Sequence, residues 1–374
     1  MKRLAGLSAA VALAGCAAHA SESGATPIAP IAASSDTQTE GKKDRVLLEL
    51  LSASGFEGVI GYSSAPGSYN LFEVGKSGVR GLASEGAAWP WASMTKQVLA
   101  VMVLQEAEDG KLALDEPLSR YLPSSGNAPV SPTIQQLLQH RSGLRNPDDS
   151  PVHKDEWPSF YTSGATGPAW CSAERGAPLA EGWRYNNCDY IVLGAVLEKV
   201  TGNSLAALFE QRIAKPAGLE RTSFATPRAA AALPGSEAIY GLVLSRFGAA
   251  GGLIGTVTDM LRFDRALLEG KLLGADAREV LWTGDPALGY MALGQWVFDA
   301  PIKGCAAPVH IVERRGAIGK YQVRNIILPE SSMAIALVTD LSEKDYDFGE
   351  VWTGEGPMHD VLTVLACQDR EPVS

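Results

Sequence analysis

The chain has 374 residues, of which 46% are hydrophobic and 20% charged, the composition of a folded globular protein. Its 42 acidic residues outnumber 32 basic ones, for a formal charge of −10, and no nucleic-acid partner is expected because phosphate binding needs a basic surface. The five cysteines are too few for a disulfide-built miniprotein and lack the paired C-x-x-C spacing of a structural zinc site. Beyond residue 15 no apolar run reaches the ~18 residues of a membrane span.

In chain order, Lys2 and Arg3 precede a short apolar run from Leu4 to Gly15, the anatomy of a secretory signal. The run ends in Leu13-Ala14-Gly15-Cys16, which resembles the bacterial lipoprotein signal, cleaved before a cysteine that then carries lipid. Residues 1–15 are therefore expected to be an address. Residues 16–43, rich in Ala, Ser, Thr, Pro and Gly, are expected to be a lipid-bearing tether reaching about 30 Å. Lipid on Cys16 implies a membrane partner without a membrane span, and an exported location on the periplasmic side.

The remaining 44–374 read as strands, then helices, then strands. A short amphipathic helix starts at Asp44. Strand patterns follow at Gly58–Ser63, Tyr69–Val74 and Gly78–Ala83, broken by Gly, Pro and Ser. From Ser93 the period changes to helical. Met94–Asp109 stops at Gly110, and Ile134–His140, Asp189–Val200, Ser204–Lys215 and Thr256–Leu268 are further helices. Strands return at Ala292–Phe298, Val309–Val312, Tyr321–Leu328 and Ser332–Thr339, before a last helix over Pro357–Cys367. Strands from both ends of the chain around a helical insertion predict an α/β fold of the α+β type. It comprises an antiparallel sheet flanked by helices (about 44–92 and 288–374) and an all-helical lobe (about 93–287).

No G-x-S-x-G elbow, H-E-x-x-H or phosphate-binding loop occurs, and the five histidines are scattered, so neither a metal nor another cofactor is expected. His140 reads as structural. Ser93-Met94-Thr95-Lys96 is the only S-x-x-K in the chain and opens an apolar helix. Positions i and i+3 share a helix face, so Lys96 can approach the Ser93 hydroxyl. Apolar surroundings lower a lysine pKa and make it a proton acceptor. Tyr185-Asn186-Asn187 sets a phenol and an amide two residues apart before another helix. A tyrosine acts as a base only where a cation depresses its pKa, and Lys96 is the candidate cation.

Together these motifs resemble those of the serine β-lactamases and penicillin-binding (DD-peptidase) proteins, on the class C and esterase side. The likeness runs from about residue 55 to 341. It includes Gly110–Leu118, the stretch Leu137-Leu138-Gln139-His140-Arg141-Ser142-Gly143-Leu144, and Gly251-Gly252-Leu253-Ile254-Gly255-Thr256 with Asp259–Phe263. The resemblance implies Ser93 as an acylated nucleophile, Lys96 and Tyr185 sharing its proton, and Asn187 on the substrate's amide carbonyl. It also implies backbone N–H groups of Ser93 and Ala317 as an oxyanion hole. The family's third motif, Lys or His, then Ser or Thr, then Gly, aligns with Arg314-Arg315-Gly316, a departure at two positions. Strand alternation sends one of the two arginines into the cleft and leaves open which. An inward Arg315 could clamp a substrate carboxylate or obstruct a β-lactam.

Residues 145–182, with Trp157, Tyr161, Trp170 and Cys171, read as a loop bordering the site, and Trp89 and Trp91 as core or wall. With Cys16 lipidated, four cysteines remain. Export permits disulfides, and of three pairings Cys171–Cys188 with Cys305–Cys367 is the one expected. The expected function is a monomeric serine hydrolase. It acts on an amide or ester, such as a β-lactam or D-Ala-D-Ala-type peptidoglycan peptide, through a Ser93 acyl-enzyme. A carboxylesterase on the same scaffold, or a penicillin or peptidoglycan sensor without turnover, are the alternatives. Lys96, Arg314 and Arg315 are expected to ring the cleft with positive charge suited to an anionic substrate.

Overall fold

The computed structural model describes residues 35–75, 87–123, 131–152, 157–173, 179, 181–231, 233 and 242–367. The expected address at 1–15, Cys16 and the strand expected at Gly78–Ala83 lie outside the described residues.

Six strands form one antiparallel sheet: β1 (Gly58–Ser63), β2 (Asn70–Val74), β6 (Trp296–Ala300), β7 (Val309–Ile318), β8 (Tyr321–Leu328) and β9 (Met333–Thr339), in the order β2-β1-β9-β8-β7-β6. The two ends of the chain meet where β1 pairs with β9, Val59 opposite Val338 and Ile60 opposite Leu337. Successive side chains on a strand point to opposite faces, so these two rungs feed different cores. Ile60 and Leu337 join Leu47 and Leu51 of helix α1 (Ser35–Ala53) and Met358 and Leu362 of the C-terminal helix. Val59 and Val338 face the helical insertion with Val257 and Leu261. On that side a Cβ at Gly61 would lie 2.9 Å from both Leu261 and Val257, so glycine is what lets this helix lie against the sheet.

The insertion is centred on helix α2 (Thr95–Glu108), whose residues 95–106 are all buried; a helix covered on every side is a core helix. Helix α3 (Asn187–Thr201) is capped by the Asn186 side chain, which accepts from Cys188 N–H, and ends at Gly202 with φ +71°. Helix α4 (Val257–Leu268) is capped by Thr256. A small second sheet, β3 (Trp89–Pro90), β5 (Leu253–Gly255) and β4 (Ser223–Phe224), in the order β3-β5-β4, joins the segment before Ser93 to the insertion. Helix α5 (Pro357–Leu365) closes the fold. Disulfides join Cys171 to Cys188 and Cys305 to Cys367. Among the described residues no single helix is long and apolar enough to cross a membrane.

Most boundaries agree with the sequence reading to within two residues, and four elements differ by more than that or in kind. Helix α1 begins at Ser35, inside the stretch read as tether; its polar first turns carry no apolar period and so gave no helical signal. The strand expected from Ala292 starts at Trp296, because Gly294 adopts φ +78° and Ala292 N–H donates to Gln295 O in a turn. The helix expected over Ser204–Lys215 is α-helical at Leu205–Phe209, widens to a π turn at Glu210–Ala214 and resumes at Lys215–Ala217. Pro216 has no N–H for the Arg212 carbonyl, which accepts from Gln105 Nε2 instead. Finally, β7 runs on to Ile318: the polar Glu313-Arg314-Arg315 hides the strand period, but the ladder to β8 continues through Ile318 opposite Tyr321.

Candidate active site

Ser93 sits on a single 3-10 turn, Ala92–Met94, between β3 and α2. Trp91 N–H donates to Leu253 O, and Thr95 Oγ1 accepts from Leu253 N–H, so the small sheet anchors the turn on both sides. Ala92 adopts φ +45°, a left-handed conformation that costs a non-glycine residue of order 1 kcal/mol and persists only where surroundings enforce it. One turn on, Lys96 is fully buried. Its Nζ lies 3.2 Å from Ser93 Oγ and 2.6 Å from both Asn187 Oδ1 and Ala250 O. Burial, then the Arg314 charge, holds its pKa well below the ordinary lysine range, against an upward pull from Asp148 and Asp189.

Tyr185 OH is 2.5 Å from Ser93 Oγ. The sequence reading gives Lys96 the task of lowering the Tyr185 pKa; the structure corrects this. Burial raises the phenol, and Arg314 rather than Lys96 is the cation opposing it. Arg314 is buried and points into the site, with Nε donating to Ser93 O at 2.8 Å and Nη2 to Tyr185 OH at 3.3 Å. Arg315 leaves in the other direction. It pairs with the buried carboxylate of Glu313 at 2.9 Å and with Glu350, and lies over Trp352. Gly316 is required by packing: a Cβ there would come 2.9 Å from Ser93 N and 3.0 Å from Trp91 O. Backbone contact at this point brings β7 and the exposed Ala317 alongside the Ser93 amide.

The residues named from sequence therefore converge: Ser93, Tyr185, Asn187, Arg314, Arg315, Gly316 and Ala317 all line one cavity of about 660 Å³, with Lys96 beneath it. The charge around that cavity is not the expected ring of cations. Arg315 is neutralised by Glu313 and Glu350, Lys96 is held toward its neutral form, and the wall carries Asp148, Glu343 and Asp347 as well as Arg324. His140 is buried beneath Tyr185, 4.7 Å between ring centroids, beside Asp189; burial lowers the imidazole pKa and raises the carboxyl pKa, each toward the neutral form. Sequence reasoning missed Ala250, whose carbonyl anchors Lys96, and Asp148. Ala250 acts through its backbone, which no motif encodes, and Asp148 is an ordinary acid in a polar loop. Trp296, which lies under Arg314 at 5.4 Å, read only as part of a strand. Among the described residues no group of three or more His, Cys, Asp or Glu side chains is placed to hold a metal ion.

An antiparallel sheet with terminal helices on one face and a helical insertion on the other, with a serine, lysine and tyrosine gathered between them, is the β-lactamase/transpeptidase-like fold. The chain belongs to the Beta-lactamase family, whose model matches residues 69–351. It is similar to the D-alanyl-D-alanine-carboxypeptidase/endopeptidase AmpH of Escherichia coli (strain K12), 23% identical over 67% of this chain and 70% of that one. It is also similar to the esterase EstB of Burkholderia gladioli, 29% identical over 36% of this chain and 37% of that one. Among solved structures, the D-amino acid amidase from Ochrobactrum anthropi SV3 shares the fold, with a TM-score of 0.70 and 20% identity over 87% of this chain and 99% of that one. The chain spans less than half the length of several curated relatives it matches, the esterase among them.

Proposed function

We propose that the chain is a serine hydrolase that cleaves an amide or ester through an acyl-enzyme on Ser93. The observation that carries this is the hydrogen-bond closure around the serine. A neutral lysine has two N–H donors and one lone pair. Asn187 Oδ1 and Ala250 O, each at 2.6 Å, take the two donors, and the lone pair is left for the Ser93 hydroxyl at 3.2 Å. Arg314 donates to the Tyr185 oxygen, so the Tyr185 proton is directed at Ser93 Oγ. Each of these donors then has an acceptor. The Ser93 oxygen attacks the carbonyl carbon as its proton passes to Lys96. Collapse of the tetrahedral intermediate breaks the C–N or C–O bond, and Tyr185, kept protonated by burial, is placed to supply the leaving group's proton. Water then attacks the acyl ester as one of its protons passes to Tyr185, and Lys96 returns its proton to the departing Ser93 oxygen, restoring all three residues.

The names of the relatives, a D-Ala-D-Ala carboxypeptidase, D-aminopeptidases and an esterase, support peptides or amides with D-amino acids as the substrate, β-lactams being their strained counterparts. A carboxylesterase is the second reading, favoured by Arg314: it cannot give up a proton as the family's Lys or His can. Intact-mass labelling of the protein and of Ser93→Ala with a penicillin and with a fluorophosphonate separates these. A penicillin adduct on Ser93 that turns over supports the hydrolase, and a fluorophosphonate adduct alone supports the esterase. A permanent penicillin adduct supports a sensor. No adduct from either reagent sinks the catalytic reading.

We further propose an exported, monomeric lipoprotein held at a membrane through Cys16. Leu13-Ala14-Gly15-Cys16 supports this, as do two disulfides, which persist in oxidising compartments. Cys16→Ala is expected to lose palmitate incorporation and leave the membrane fraction, and the detergent-solubilised protein to have a monomer mass by light scattering. Retention of the variant in membranes refutes the anchor.

A further inference from the structure

Three hydrogen bonds lead from the cavity wall to the lysine. The Tyr161 hydroxyl donates to Asp148 Oδ1 at 2.8 Å, Asn187 Nδ2 donates to the Tyr161 oxygen at 2.7 Å, and Lys96 Nζ donates to Asn187 Oδ1 at 2.6 Å. Asp148 and Tyr161 belong to two short 3-10 turns, Pro147–Asp149 and Ser159–Tyr161, of the loop that borders the site. The first turn is pinned to the site: Asn146 Nδ2 donates to the Tyr185 carbonyl, and Asn146 Oδ1 accepts from Asp148 N–H. The Tyr161 ring is held independently, stacked on Phe247 with centroids 4.1 Å apart and planes 4° from parallel.

We infer that Asp148, acting through Tyr161, is a positioning residue for the lysine: it sets the direction of the hydrogen bonds that end at Lys96. An ionised carboxylate only accepts, so Asp148 claims the Tyr161 proton. The Tyr161 oxygen must then accept, and only the NH2 end of the Asn187 amide can supply that bond. This turns Asn187 Oδ1 toward Lys96, where it occupies an N–H and leaves the lysine lone pair for Ser93. The two orientations of an amide have nearly the same shape, so packing alone does not choose between them. In the reversed chain Tyr161 donates to Oδ1 and Asn187 Nδ2 faces Lys96. The lone pair then accepts from Asn187 and is lost to Ser93. Burial and the neighbouring Asp148 both push the Tyr161 phenol up, which keeps it a donor.

This rests on the serine-hydrolase reading, and one experiment separates the two. The rate of Ser93 acylation by a fluorophosphonate is measured for the full chain and for Asp148→Asn, Tyr161→Phe, the double variant and Asp148→Glu. The amide introduced by Asp148→Asn can donate to Tyr161 and reverse the chain, so this variant is expected to slow acylation about 100-fold, the scale of a misdirected general base. Tyr161→Phe removes the relay and slows it by less than about tenfold, the worth of one hydrogen bond. The double variant is expected to match Tyr161→Phe, and so to be faster than Asp148→Asn, while Asp148→Glu restores most of the rate. If Asp148 acts only through its charge, Asp148→Asn is as harmful in the Tyr161→Phe background as in the parent, which overturns the inference; so does an Asp148→Asn protein at the parent rate. If the fluorophosphonate does not label the parent chain, the same series is read with the penicillin; labelling by neither reagent sinks the hydrolase reading and takes this one with it.

Discussion

Lys96 and Arg314 show how two buried cations a short distance apart can hold different protonation states. A lysine can shed its proton when burial and a neighbouring charge make the ammonium costly, whereas a guanidinium cannot. The base must be neutral to act, so acylation is expected to rise with pH through the depressed Lys96 pKa and to level off below the ordinary lysine value of about 10.4. Removing Arg314 removes a charge that lowers Lys96. Arg314→Met should therefore move this limb to higher pH as well as slow the reaction; a limb that stays in place in a pH–rate series refutes the assignment. Arg315 has a different role. Its guanidinium is the partner of Glu313, whose side chain is 0% exposed. Arg315→Ala takes from that buried carboxylate its hydrogen-bonded partner, and is expected to cost about 3 kcal/mol in urea unfolding while the folded protein still acylates. A kcat/KM loss confined to carboxylate-bearing substrates, with stability unchanged, would return Arg315 to substrate binding.

At the scale of elements, the site depends on how closely β7 approaches the turn that carries Ser93. With a Cβ at residue 316 only 2.9 Å from the Ser93 amide nitrogen, Gly316→Ala must push strand and turn apart. An oxyanion site fails when its donors shift, so acylation should fall by about 100-fold, measured by stopped-flow labelling, with a smaller loss of thermal stability. The Cys171–Cys188 disulfide clips the loop bearing Tyr161 to the first turn of α3, one residue beyond Asn187. Replacing both cysteines by serine should cost about 3 kcal/mol, as expected for a closed loop of this length, and lower the acylation rate through Asn187. Unchanged kinetics would mean that the clip serves stability alone.

Across the whole molecule, the net acidity extends into the cleft. Arg314 and Arg324 face Asp148, Glu343 and Asp347 on the same cavity, and Arg315 is already paired with Glu313 and Glu350. Substrates with a free ammonium group are therefore expected to react with a higher kcat/KM than their N-succinyl counterparts, and the gap should narrow as salt screens the charge. A preference for the succinyl form at every ionic strength would mean that Arg314 outweighs the carboxylates.

What the sequence determined by itself was local and periodic. Gly58–Ser63 is a strand because a short, largely apolar run lies between turn residues, and α2 is a core helix because its middle, Val98–Leu104, is apolar on every side. Ser93 and Lys96 meet because i and i+3 share a helix face, so the proposed nucleophile and its base were legible in four residues. Tertiary structure decided everything that joins distant segments. Opposite strand faces separated Arg314 from Arg315, and Glu313 and Glu350 then neutralised the second. Burial, which depends on the whole fold, lowered Lys96 and raised Tyr185, and a backbone carbonyl at Ala250 and a loop carboxylate at Asp148 completed the surroundings of the lysine. Periodicity registers which face of an element is covered, but not which group lies across the gap, and it is that group which sets charge and proton direction.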